Sequence, residues 1–271
     1  MSHCNRGAFA ALVVIAGFVS AAAVQAASSA TNGAERVAAF ARLPDWSGVW
    51  LVEGSTASFD PGGKPPPYNA EWAAKYARLR ASARPADDTM VKQCMAGVPR
   101  LAATAAPFFI MVTPEETLIH YSRREIRHIW TDGRDHPPAD EMWPFTWADS
   151  IGHWEGQVLV VDTISANGNL WIDPSGAQLS NKARITERIS MPDAGHLRSE
   201  MIIEDPTALT RPWKVTRTYR RTADADIPEQ QCNWRAGGCR GGRLSRARLP
   251  WQGGRASPRC SAQPAVHQMT R

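Results

Sequence analysis

Asp162 and Glu187 stand out because each falls within or at the end of an apolar row. Val158, Val160 and Asp162 share one parity, and Ile185, Glu187 and Ile189 share another. A carboxylate in such a row is drawn toward the interior, where desolvation favours its protonated form unless a cation or hydrogen-bond donors compensate. That is the behaviour required of a general acid or base, and His136 is the natural partner. Arg134 is suited to hold a substrate carboxylate or phenolate, and Trp130 and Trp171 to form apolar walls. Each residue also has a plainer reading. Asp132-Gly133 is a turn dipeptide in which Asp132 bonds its own backbone. Asp162 can cap the loop that follows it, and Glu187-Arg188 can be a surface pair.

Other chemistries are excluded by the motifs they need. There is no G-x-S-x-G nucleophile elbow, no P-loop and no dinucleotide-binding glycine fingerprint, so the commonest hydrolases, kinases and nicotinamide-linked oxidoreductases are set aside. No cofactor is expected. No metal site is expected either: there is no CxxC pair, and His120 and His128 fall on opposite faces if Arg123-Arg124 form a two-residue turn.

These side chains need a scaffold, and its period is two. Residues 46–53, 108–113, 117–122, 126–131, 152–154, 158–164, 184–190, 197–204 and 213–219 read as strands joined by short polar turns. Alternation puts Ile126, His128, Trp130 and Asp132 on one face and Arg127, Ile129 and Thr131 on the other. One helix is expected over 70–83, with Trp72, Tyr76, Leu79 and Ala83 along one stripe, Asn69 as N-cap and Pro85 as stop. Residues 84–107, with three prolines and Cys94, read as an ordered but irregular connector. About nine strands and one early helix predict a mainly β chain whose antiparallel meander closes into a barrel, since an open edge would invite aggregation.

The chain has 271 residues, 31 Lys and Arg against 26 Asp and Glu, and a formal charge of +5. Residues 233–271 hold eight Arg, no Lys and no acid, so the remainder is net acidic and the basic balance belongs to the tail. Residues 1–26 read as a secretory signal peptide: Arg6, an apolar run from Ala8 to Val19, and Val24-Gln25-Ala26 before a cut at Ala27. That predicts a periplasmic or secreted protein with no stable membrane insertion. In such a compartment Cys94 and Cys232, which bracket most of the body, are the expected disulfide. The domain plan is therefore a leader over 1–26, an Ala-rich lead-in over 27–43, one domain over 44–232, and a disordered tail over 233–271. The tail has the composition of a GC-rich gene read in a shifted frame; the alternative is a basic arm. Export and the scarcity of aromatics there argue against a nucleic-acid partner.

Several motifs in one order carry a resemblance. They are Pro44-Asp45-Trp46-Ser47-Gly48-Val49-Trp50, Thr131-Asp132-Gly133-Arg134 with His136-Pro137, and Ser150-Ile151-Gly152-His153-Trp154-Glu155-Gly156 leading into Leu159-Val160-Val161-Asp162-Thr163. Asn167, Leu170-Trp171-Ile172-Asp173, Thr186-Glu187-Arg188, Asp205-Pro206 and Pro212-Trp213 complete the set. Over roughly 44–232 the chain resembles a family of exported bacterial proteins with no assigned activity. The resemblance implies a lipocalin-like (calycin-like) β-barrel. Gly48-Val49-Trp50 also matches the lipocalin G-x-W signature, which implies a floor-closing Trp under a last-strand arginine, here Arg217 or Arg220. The chain departs from the family pattern at 165–167, which lacks the aromatic before Asn, and at 175–180, which lacks Pro-His before Ser. A chemical role for that histidine would be lost here.

Two functions follow. One is a barrel that binds a small apolar or aromatic molecule. The other is a cofactor-independent lyase, isomerase or hydratase using a carboxylate–His pair in the same cavity. Both expect Trp130, Asp132, Arg134, His136, Asp162, Asn167, Trp171 and Glu187 to converge on the mouth or interior of one cavity.

Overall fold

The computed structural model describes residues 33–82, 87–92, 96–122, 125–138, 140–223 and 225–227. The predicted leader, Cys94, Cys232 and the basic tail lie outside the described residues.

Nine strands close into a barrel in sequence order: β1 (Val49–Val52), β2 (Phe108–Val112), β3 (Glu116–Ser122), β4 (Glu125–Trp130), β5 (Asp149–Glu155), β6 (Val158–Ile164), β7 (Arg184–Asp193), β8 (His196–Glu204) and β9 (Trp213–Thr222). The alternation read from the sequence is the burial pattern found. Along β8 every second residue, from Leu197 to Ile203, is buried and those between are exposed. Neighbours are antiparallel with one exception. β4 and β5 run parallel and are paired only at Trp130 and Ile151. Parallel neighbours need a crossover, and residues 131–148 supply it over the outer wall.

Among the described residues three α-helices accompany the barrel: α1 over 33–40, α2 (Ala70–Ser82) and the four-residue α3 (Thr89–Lys92). In α2 the Asn69 side chain accepts the Trp72 amide at 3.0 Å, the cap expected from the sequence. Trp72 and Tyr76 pack half-buried against the upper core.

Both ends of the barrel are stoppered by apolar clusters. At the floor Trp46, Trp50, Leu159, Ile189 and Leu197 belong to one core, and the Trp50 indole donates to the Trp46 carbonyl at 3.1 Å. Arg221 lies over the Trp50 ring, 4.7 Å from its centroid. The arginine above the G-x-W tryptophan is therefore Arg221, because β1 and β9 register Trp50 against Arg221. Gly48 has φ of +106°, a conformation side-chain-bearing residues rarely adopt, so glycine suits the turn that leads into Trp50.

At the opposite end, the connections around Phe59, Val98, Ala102, Ile172 and Leu179 pack onto Ile185, Met201, Ile203 and Trp213. Arg217 fastens this plug. Its guanidinium donates to the carbonyls of Ser55 at 2.6 Å, Ser58 at 2.5 Å and Phe59 at 2.9 Å. Burial lowers its pKa from the ordinary arginine value, and the carbonyl oxygens give the desolvated cation its partners.

Candidate functional site

Between the two apolar ends the barrel carries a polar layer. Arg127 and Glu187 point inward, 2% and 3% exposed, with Nη2 and Oε2 2.5 Å apart. The Arg127 Nη2 also donates to Thr163 Oγ1 at 2.9 Å, Ser150 and Thr163 share a hydrogen bond of 2.9 Å, and Ser199 donates to Glu187 at 3.2 Å. Burial alone would push the Arg127 pKa down. The charge and hydrogen bond of Glu187, together with the Tyr121 and Tyr219 phenols, outweigh that and hold it above the ordinary arginine value.

The outer wall carries a second group. β6 alternates Leu159, Val161 and Thr163 inward, which turns Asp162 outward. The crossover brings His136 onto the wall there. Its Nδ1 meets Asp149 Oδ1, and its Nε2 lies 3.1 Å from Asp162 Oδ2. Arg184 grips the same carboxylate from β7, with Nε at 2.8 Å and Nη2 at 2.5 Å. Burial would raise the Asp162 pKa, but the bonds and charge of Arg184, with His136 after it, leave it below the ordinary aspartate value. Nearby, Arg134 chelates Asp132 through Nε at 3.0 Å and Nη2 at 2.6 Å. Its guanidinium sits 3.9 Å over the Trp130 ring, and His128 stacks near that ring at 5.7 Å.

The predicted convergence is only partly found. Trp130, Asp132, Arg134, His136 and Asp162 share the outer wall. Glu187 does not join them: the β6–β7 register pairs Asp162 with Thr186 and Val161 with Glu187, so the two carboxylates occupy opposite faces of the sheet. Trp171 and Asn167 belong to the loops at the plugged end. The Trp171 amide donates to Thr89, its carbonyl accepts from Arg100, and the Asn167 side chain accepts its own turn's Asn169 amide. The void beside them is about 10 Å³, room for one water at most.

His120 and His128 also depart from expectation. A bulge between His120 and Ser122 shifts the register so that Leu118 pairs with His128 and His120 with Ile126, which puts both histidines on the outer face.

Where β4 and β5 diverge, the wall holds a recess of about 350 Å³ lined by Ile126, His128, Trp130, Trp147, Asp149 and Ser150. Ala148, also at its wall, has φ of 58°, the left-handed region that a non-glycine residue seldom adopts. Asp149, Trp147, Arg127 and Arg184 were not singled out from the sequence. Arg127 was already on the face opposite Trp130 by alternation. Asp149 was missed because the strand was read as starting at 152, three residues late.

Chemically, the His136 ring is fully committed. Both nitrogens face carboxylates, and only the doubly protonated ring can donate to both. The trio fastens the crossover to the wall and leaves no ring nitrogen for a substrate. The recess beside it is different, with two indoles, an imidazole and one side of Asp149 around an open volume. Comparison with protein-family models, curated proteins and solved structures finds no match.

Proposed function

We propose that the protein is an exported binder of a small aromatic or apolar molecule, received in the wall recess between β4 and residues 147–150. One observation carries the reading. The barrel wall is joined across β4 and β5 by a single residue pair, and the space so opened is flanked by Trp130 and Trp147. A volume of about 350 Å³ suits one ring-sized molecule. Indole walls favour aromatic ligands through offset or edge contacts, and Asp149 and His128 offer one or two polar contacts to orient them. Arg134, clamped by Asp132, pins Trp130 from beside the site. The left-handed Ala148 gives further support, since strain of this kind concentrates at ligand clamps.

The acid–base alternative has less behind it. It would require His136 to release Asp149 or Asp162 before a proton could move, and Glu187 lies on the other face of the wall.

Native mass spectrometry of protein purified from its own periplasm tests the proposal. The expected result is a small aromatic adduct at one per chain, lost in Trp130→Ala and retained in Trp143→Ala, whose side chain is on the surface at 69% exposure. An adduct indifferent to Trp130, or its absence from a correctly folded sample, would overturn the reading.

A further inference from the structure

A second recess lies at the barrel floor, under α1. Its volume is about 410 Å³, and its lining includes Arg36, Phe40, Pro114, Thr131, Asp132 and Trp154. It is distinct from the wall recess. β4 ends by turning Trp130 outward toward that site and Thr131 inward toward this one.

Two polar atoms here lack what a folded interior normally supplies. Thr131 is 7% exposed, and its Oγ1 has no hydrogen-bond partner. The Nε of Arg36 is likewise buried and unpartnered. Buried donors are satisfied in the great majority of cases, so two orphans on one recess point to a missing acceptor. The guanidinium is already oriented, because its Nη1 donates to the Asp132 carbonyl at 3.1 Å. Asp132 does not neutralise it: that carboxylate is taken by Arg134. Among the described residues Arg36 has no carboxylate partner.

We infer that this recess binds a small monocarboxylate with an apolar body. The ligand carboxylate accepts from Arg36 Nε and from the Thr131 hydroxyl, a charge-assisted arrangement stronger than a neutral pair. The body lies against Phe40, Pro114 and Trp154, the last held by an edge-on contact with Trp46 at 5.2 Å. One negative charge is the limit, because Glu35 and Asp132 also border the recess and repel a second.

The test is calorimetric titration of the full chain carrying Trp147→Ala, which disables the aromatic site of the wall recess, with benzoate and with benzyl alcohol, its uncharged counterpart. Benzoate is expected to bind saturably at one per chain, with benzyl alcohol at least about tenfold weaker, the effect of losing a charge-assisted hydrogen bond. Thr131→Val and Arg36→Gln should each weaken benzoate by roughly tenfold or more, while Thr131→Ser, which keeps the hydroxyl, retains it. Thermal melts establish that each variant is folded. Trp143→Ala, on the surface at 69% exposure and outside both recesses, should leave benzoate binding unchanged. Absence of saturable benzoate binding, equal binding of benzyl alcohol, or full affinity in folded Thr131→Val would overturn the inference.

Discussion

Glu187→Leu leaves the Arg127 guanidinium in the middle of the barrel with hydroxyl groups as its remaining partners. The side chain is 3% exposed, so water cannot replace the carboxylate. Removing one partner of a buried ion pair costs about 3–5 kcal/mol, chiefly the penalty of the stranded charge. For a barrel domain of this size each kcal/mol is worth roughly 2–4 °C in Tm, so a loss of about 6–20 °C is expected. Arg127→Leu should cost a similar amount, because Glu187 would then keep Ser199 alone at 3.2 Å. The double variant is the decisive member. With both charges gone, Ser150 and Thr163 still satisfy each other at 2.9 Å, and two leucines fill a layer bounded by Ile185, Ile189 and Val161. Its stability should return to within about 2 kcal/mol of the parent, giving a coupling energy of several kcal/mol. Urea unfolding of the four proteins, followed by far-UV circular dichroism, measures the cycle. Single variants losing less than about 1 kcal/mol, or a double variant as unstable as the two losses added, would show that the pair is not the desolvated unit described.

Asp162 gives a pH dependence. Its folded pKa lies below the ordinary value of 3.8, so its contribution to stability is complete above that value and is lost as the pH falls through the folded one. Asp162→Asn should flatten the acid limb of a stability–pH curve, and an unchanged limb would refute the assignment. Gly97→Ala should destabilise by about 1–3 kcal/mol or more in a thermal melt, since φ there is +127° and a Cβ would fall 2.0 Å from the Thr146 carbonyl oxygen. Arg221→Met should cost about 0.5–1 kcal/mol beyond its lost packing, measured against Arg221→Lys, if the contact over Trp50 is a cation–π pair. Non-reducing peptide mapping of exported protein is expected to find Cys94 joined to Cys232; recovery of both as free thiols would refute it.

The barrel was legible because its signal is local. Alternating burial needs only a strand's own residues, and it put Arg127 and Trp130 on opposite faces before any partner strand was known; which face was the inner one came only with the closed barrel. Helix α2 was legible for the same reason, from its stripe and its Asn69 cap. What could not be read was register. A shift of one residue exchanges the faces of a strand, and nothing local to Asp162 or Glu187 fixes how β6 lies against β7. The bulge at 120–122 moved His128 one place for the same reason. The crossover was also opaque. Its proline-rich sequence reads as a loop; the expected pairing of His136 with Asp162 is found, but only the closed barrel shows that Asp149 holds the other ring nitrogen.

The β4–β5 contact has a mechanical meaning. A closed barrel has no free edge, yet a ring parts at its weakest join, and here one join is a single residue pair while β7 and β8 are paired along nearly their whole length. Local opening should begin at this seam, ahead of global unfolding, and amide exchange should be fastest along β4 and the start of β5. Once parted, the seam presents two bare strand edges able to pair with another chain. The crossover acts as a strap across it, tied down at His136. A ligand lodged between Trp130 and Trp147 would brace the same seam, so occupancy of the recess would also guard the protein against self-association.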